Sequence, residues 1–121
     1  MPRYCFTGQV DPDRLDEYRA HHAPVWPEML RALHDAGWGD YTLHLRDDGL
    51  LVGVVETADG TTLEQAQAAV EGAPVNALWQ AESARLFPPD PAQRPDLTFT
   101  ALPVVFDLTA QLAQLEEQEN R

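Results

Sequence analysis

The chain opens on a strict alternation. Between Arg3 and Val10, Tyr4, Phe6, Gly8 and Val10 fall on one side and Cys5, Thr7 and Gln9 on the other, the period of a half-buried strand. From Pro12 the period changes. Asp11-Pro12 is a helix start, since aspartate caps free N–H groups and proline tolerates the first helical position. Tyr18 and His22 follow four residues apart, one above the other on a single helical face. Pro24 and Pro27, flanking Trp26, then bend or break the helix near Ala23 to Pro27, because proline lacks a backbone donor and restricts the residue before it. Met29, Leu30 and Leu33 resume the helical period, and Gly37 ends it. Local rules tend to be broken where function demands a shape. Here the break directly follows a titratable histidine.

Period two returns over Asp40 to Arg46, with Tyr41, Leu43 and Leu45 on one face and Thr42 and His44 on the other. Asp47-Asp48-Gly49 reads as a hairpin turn, and Leu50 to Thr57 as a third strand that is apolar on both faces. Thr61 and Thr62 with Glu64 and Gln65 form overlapping capping boxes for a second helix, interrupted at Gly72 to Pro74 and then restarting. Pro88, Pro89, Pro91 and Pro95 mark a loop. Phe99 to Phe106 reads as a fourth strand, pushed by Pro103 towards an edge or a bulge. Asp107 to Arg121 reads as a terminal helix with Leu108, Leu112 and Leu115 on one stripe.

The order β-α-β-β-α-β predicts an α+β, ferredoxin-like fold, a four-stranded antiparallel sheet with both helices on one face. Residues 1–108 make that unit, and 109–121 form a helical tail of the same single domain. Leu50, Val52 and Val54 alternate with Leu51 and Val55, so the second sheet face also needs cover. So short a chain has little left to supply it. The expected assembly is a symmetric homodimer, two sheets paired as a dimeric α/β barrel.

Composition narrows the function. A chain of 121 residues with 44% hydrophobic content supports one core. Its formal net charge is −12, with 8 arginine-plus-lysine residues that are all arginine. No basic stripe exists to follow a phosphate backbone or an anionic membrane surface, so a neutral or cationic ligand is expected. No apolar run reaches membrane-spanning length, and the first residues lack a signal pattern. Cys5 is the single cysteine, which excludes an internal disulfide and fits a reducing cytoplasm; it reads as a small core residue rather than a nucleophile. Metal binding is not expected of the four histidines, because His21 and His22 point about 100° apart on a helix and no HExxH or paired ExxH spacing is present.

The chain resembles the L-rhamnose mutarotases. The residues that carry the likeness are Gln9, Asp13, Glu17-Tyr18, His22, Val25-Trp26-Pro27-Glu28, Gly37, Tyr41, Leu50-Leu51, Glu56 and the VNALWQAE segment around Trp79, within about Tyr4 to Leu108. The combination EYxxxHxxVWPE with a tyrosine opening the second strand is far more specific than any one element. The resemblance implies an isomerase with a dimeric ferredoxin-like fold, which interconverts the α and β anomers of L-rhamnose without cofactor or metal. It places the proton donor on His22 and the sugar contacts on Tyr18, Tyr41, Trp79 and Gln80. Gln80 stands where the best-known pattern has a second tryptophan, and Leu78 where it has an arginine.

The chemistry is consistent with these residues. Ring opening of a cyclic hemiacetal needs one proton delivered to the ring oxygen and one removed from the anomeric hydroxyl. Histidine titrates in the right range, and its protonated form is expected to donate to the ring oxygen. Asp40 and water are candidate proton acceptors. Tyrosine hydroxyls suit sugar hydroxyls, and a broad indole suits the C–H face of a deoxysugar. Trp26 reads as packing between prolines, and Trp38 as an anchor where the second strand begins. The same fold also carries cofactor-independent monooxygenases and cyclases of aromatic polyketides, and a non-catalytic ligand-binding module is a further alternative. The motif favours the mutarotase over both, since fold alone implies no function.

Overall fold

The computed structural model of the protein describes residues 2–88 and 99–120. Its sheet is antiparallel, with strand order β2-β3-β1-β4. The strands are β1 (Arg3–Gln9), β2 (Trp38–Leu45), β3 (Leu50–Thr57) and β4 (Thr100–Leu102). Each helical region breaks where expected and forms two helices, split at a proline. The first becomes α1 (Leu15–His22) and α2 (Pro27–Asp35), the second α3 (Leu63–Glu71) and α4 (Pro74–Ser83). In both cases the proline takes the first helical position of the new helix, where its missing N–H costs nothing. The capping box at Thr62 and Gln65 is formed in both directions.

The alternation of β1 and β3 decides which face carries the core. Phe6, Leu51 and Val55 are buried under the helices, against Tyr18 of α1, Met29 of α2, Ala66 and Val70 of α3 and Trp79 of α4. Gly53 pairs with Phe6 across the ladder, and its lack of a side chain lets the Phe6 ring lie over it; a Cβ there would collide with that ring. Gly37 ends α2 with φ +96°, a conformation that only glycine adopts freely.

Two strand boundaries differ from expectation. The second strand begins at Trp38, and one extra residue is inserted between Trp38 and Tyr41, where the pairing moves from Thr57 to Val55. Such a bulge turns the chain locally. Trp38 and Tyr41, an odd spacing that would oppose them on a regular strand, therefore both face the helices, with ring centroids 4.8 Å apart. The fourth strand is only Thr100–Leu102, not Phe99 to Phe106, because Pro103 has no N–H to continue the ladder. Of the proline loop, Pro88 is described and exposed; Pro89, Pro91 and Pro95 lie outside the described residues.

Cys5 is also not where it was expected. It is half-buried on the outer face of the sheet, paired with Val54 and Leu102, rather than in the core. With Val52, this makes an apolar outer face that is only half-buried and that no described helix covers. The terminal helix α5 (Leu108–Glu119) is capped by Asp107, whose Oδ1 accepts from the Ala110 N–H at 2.9 Å. Every residue of α5 is exposed, and the Leu108, Leu112 and Leu115 stripe is uncovered.

Candidate active site

Three sequence features converge between the helices and the sheet. The first is the end of α1. Pro24 and Pro27 stop the helix just after His22, and the half-buried imidazole turns back on its own last turn, Nδ1 lying 3.1 Å from the Tyr18 carbonyl oxygen. A carbonyl can only accept, so Nδ1 carries the proton and donates, and Nε2 is the nitrogen left for a ligand. The Tyr18 ring stacks on the imidazole at 4.1 Å, as the four-residue spacing requires. The second feature is the β2 bulge, which aims Tyr41 inward. The third is α4, whose inner face carries Asn76, Trp79 and Gln80.

These parts enclose a cavity of about 140 Å³, lined by His22, Tyr41, Asn76, Trp79 and Gln80 together with apolar residues of α2, α3 and the sheet. Trp79 meets His22 edge to face at 5.4 Å and Trp26 likewise at 5.0 Å, so Trp26 packs behind the site, as its place between prolines suggested. Trp38 anchors the start of β2 by donating from Nε1 to the Ala66 carbonyl at 3.1 Å. A larger open groove of about 540 Å³ lies beside Tyr4, Trp38 and α3, but no histidine lines it.

Four of the five expected site residues thus meet at one cavity. Tyr18 does not line it. It is buried behind His22, against Val10, Leu51 and Leu86. Burial raises the Tyr18 hydroxyl above its ordinary value and does the same for Tyr41, whose shift Tyr18 reinforces electrostatically. Both phenols stay neutral and can donate. Neither hydroxyl has a hydrogen-bond partner among the described residues.

His22 is moved the other way. Burial lowers it below the usual histidine value of 6.5; the bond to the Tyr18 carbonyl opposes this and the neighbouring His21 adds to it. The resting ring is therefore neutral at pH 7. Asp40, weighed as a proton acceptor, is exposed on the bulge and does not line the cavity. Among the described residues, no group of three or more His, Cys, Asp or Glu side chains is arranged to hold a metal.

Two residues of the site escaped the sequence reading. His21, expected to point away, lies flat on Trp79 with centroids 4.1 Å apart, and its Nε2 is 2.9 Å from the buried Ser83 Oγ. It holds the indole in place. Asn76 is the other; its four-residue spacing from Gln80 within VNALWQ was the available signal.

Comparison with known proteins identifies the family. The family model of L-rhamnose mutarotases matches residues 3–108. An L-rhamnose mutarotase of Jannaschia sp. (strain CCS1) is 35% identical over 96 residues, which is 78% of this chain and 88% of that relative. One from Acidiphilium cryptum (strain JF-5) is 37% identical over 82 residues, 67% of this chain and 76% of the relative. Among solved structures, an L-rhamnose mutarotase from Formosa agariphila superposes with a TM-score of 0.72 at 18% identity, covering 89% of this chain and 99% of that one. A dimeric ferredoxin-like protein from an uncultured marine organism does so with a TM-score of 0.51 at 13% identity, over 88% and 95% of the two chains. At these identities the two structures speak to the ferredoxin-like fold alone. Architecture, motif and relatives agree, and the chain belongs to the L-rhamnose mutarotase family.

Proposed function

We propose that the protein is a sugar mutarotase that interconverts the α and β anomers of L-rhamnose or a related deoxysugar, with His22 as its catalytic group. The observation that carries this reading is the tautomer of His22, whose Nε2 is free at a cavity bordered by an unpartnered tyrosine hydroxyl and an indole. The cavity of about 140 Å³ is well below the ~300–1,000 Å³ usual for drug-sized ligands. That favours a monosaccharide over the polycyclic aromatics of the monooxygenase and cyclase alternative.

Neutral His22 accepts the proton of the anomeric hydroxyl at Nε2 while the bond from the anomeric carbon to the ring oxygen breaks. The imidazolium so formed delivers the same proton to the ring oxygen, which leaves a neutral open-chain aldehyde. Rotation of the carbonyl and the reverse steps give the other anomer. His22 is then the donor to the ring oxygen, as the resemblance implies, but the imidazolium forms during the reaction rather than beforehand. Tyr41 and Trp79 hold the sugar, Gln80 offers an amide to a hydroxyl, and Tyr18 supports the imidazole from behind.

Saturation-transfer NMR between the two anomeric protons of L-rhamnose tests the reading, because it measures exchange at equilibrium. Exchange above the uncatalysed rate is expected, and its absence refutes the mutarotase. The pH profile tests the starting state of His22. Protonation occupies Nε2, so exchange should rise with pH through a value below 6.5 and stay level above it. A rate that instead falls through that range would make the imidazolium the resting catalyst.

Specificity follows from Gln80, which gives a polar subsite. L-Mannose, the 6-hydroxy counterpart, should be tolerated better by the wild type than by Gln80→Trp. An unchanged rhamnose-to-mannose ratio would show that this position does not read the sugar.

We further infer a homodimer paired through the outer sheet face around Cys5, Val52 and Val54, in the cytoplasm, where a lone thiol stays reduced. No described helix is long and apolar enough to cross a membrane.

A further inference from the structure

Among the described residues, one side-chain polar atom that is fully shut off from solvent has no partner. Asn76 is 1% exposed, and its Nδ2 is the single buried side-chain nitrogen or oxygen without a hydrogen bond among the described residues. Its other end is engaged, with Oδ1 accepting from Gln80 Nε2 at 3.3 Å one helical turn further on. That bond decides which end of the amide is left over. Asn76 lines the same cavity as His22, Tyr41 and Trp79.

Buried donors are almost always paired, and leaving one unpaired is costly. A leucine of similar size would fill the position without that cost. The orphan donor belongs to a side chain that lines the cavity, where a bound molecule can complete it. Gln80 is in the complementary state, since its Oε1 has no partner among the described residues. Together the two amides present one free donor and one free acceptor, one turn apart on α4. A sugar hydroxyl both accepts and donates, so a pyranose hydroxyl meets this pair, whereas a flat apolar ring would leave both ends unsatisfied.

We propose that Asn76 is a sugar-binding residue: its Nδ2–H donates to a hydroxyl oxygen of the substrate, and its Oδ1 holds Gln80 so that the second amide accepts from a hydroxyl of the same sugar. The proposal rests on the mutarotase reading above and extends it to a residue to which the resemblance assigns no role.

The test compares wild type and Asn76→Leu by saturation-transfer NMR over a range of L-rhamnose concentrations, beside thermal melting of each protein without sugar. Asn76→Leu should raise the half-saturating concentration about tenfold, the worth of one hydrogen bond, while its melting temperature holds or rises. The wild type should lose about the same factor on one of the 2-, 3- and 4-deoxy analogues of L-rhamnose, and Asn76→Leu should lose nothing more on that analogue. This deoxy series on the wild type decides the matter even where the variant fails to fold. An unchanged half-saturating concentration in Asn76→Leu, or a wild type indifferent to every deoxy analogue, overturns the proposal while leaving the mutarotase intact. A melting temperature that falls while saturation holds assigns Asn76 a structural role and overturns it as well. A wild type without exchange on L-rhamnose refutes the parent reading, and this one with it.

Discussion

Replacing His22 by alanine should slow anomer exchange of L-rhamnose by at least about a hundredfold, the lower end of what a positioned acid–base group contributes. Among the described residues lining the cavity, the imidazole is the only group that ordinarily titrates near neutrality. Without it, both proton transfers fall back on water in a small apolar-walled space. The protein should remain folded, because His22 is half-buried and its one hydrogen bond is to a carbonyl of its own helix. His34→Ala serves as the control: His34 is exposed on α2 and does not line the cavity. His21→Ala does not serve, since the loss of its stacking would loosen Trp79, the proposed sugar platform. Saturation transfer at one sugar concentration, with melting curves of both variants, separates these outcomes. Equal exchange in wild type and His22→Ala would end the mechanism.

The second large effect concerns assembly. Val54 lies in the middle of the outer sheet face, paired with Cys5 on β1 and Thr42 on β2. In a single subunit an arginine there can reach solvent. In the proposed dimer it would be buried against its symmetry mate, and an unpaired buried charge costs about 3–5 kcal/mol. Val54→Arg should therefore weaken dimerisation by at least about a hundredfold and leave monomers at micromolar concentration. Light scattering on both proteins measures this. A dimeric Val54→Arg would place the interface elsewhere, and a monomeric wild type would refute the dimer.

The tail belongs to the same test. We propose that 109–121 is part of the domain and that its leucine stripe, uncovered in the single chain rather than docked on the body, packs on the partner. Helices of this length are marginal alone, so truncation after Leu108 should lower the melting temperature. Unchanged melting and unchanged dimerisation would show the tail to be idle.

Much of the architecture was legible because it rests on local rules. The period-two runs located β1, β2 and β3, since a half-buried strand must alternate. The prolines located the breaks in both helices, because the residue that cannot continue one helix is well suited to begin the next. Tyr18 and His22 were legible as a stacked pair from their four-residue spacing alone. Tyr41, Trp79 and Gln80 came from the resemblance rather than from any rule of spacing.

What the chain alone could not reveal depends on partners distant in sequence. The bulge that turns Trp38 and Tyr41 to the same face exists only as a mismatch with β3 and leaves no mark in the local pattern. The shortness of β4 was foreshadowed by Pro103, yet its end depends on pairing with β1. Cys5 reads as a core residue until the sheet assigns it to the outer face, where its burial depends on another surface. His21 and Asn76 were passed over for the same reason. One is defined by the indole it covers and the other by a hydrogen bond it lacks, and both follow from the packing of α1 and α4 across the sheet. Local sequence thus determined which segments are strands and helices and where they break, since those choices rest on backbone sterics and capping within a few residues. Tertiary structure decided which side chains share the cavity and which are left behind it, because burial is settled only when distant segments pack.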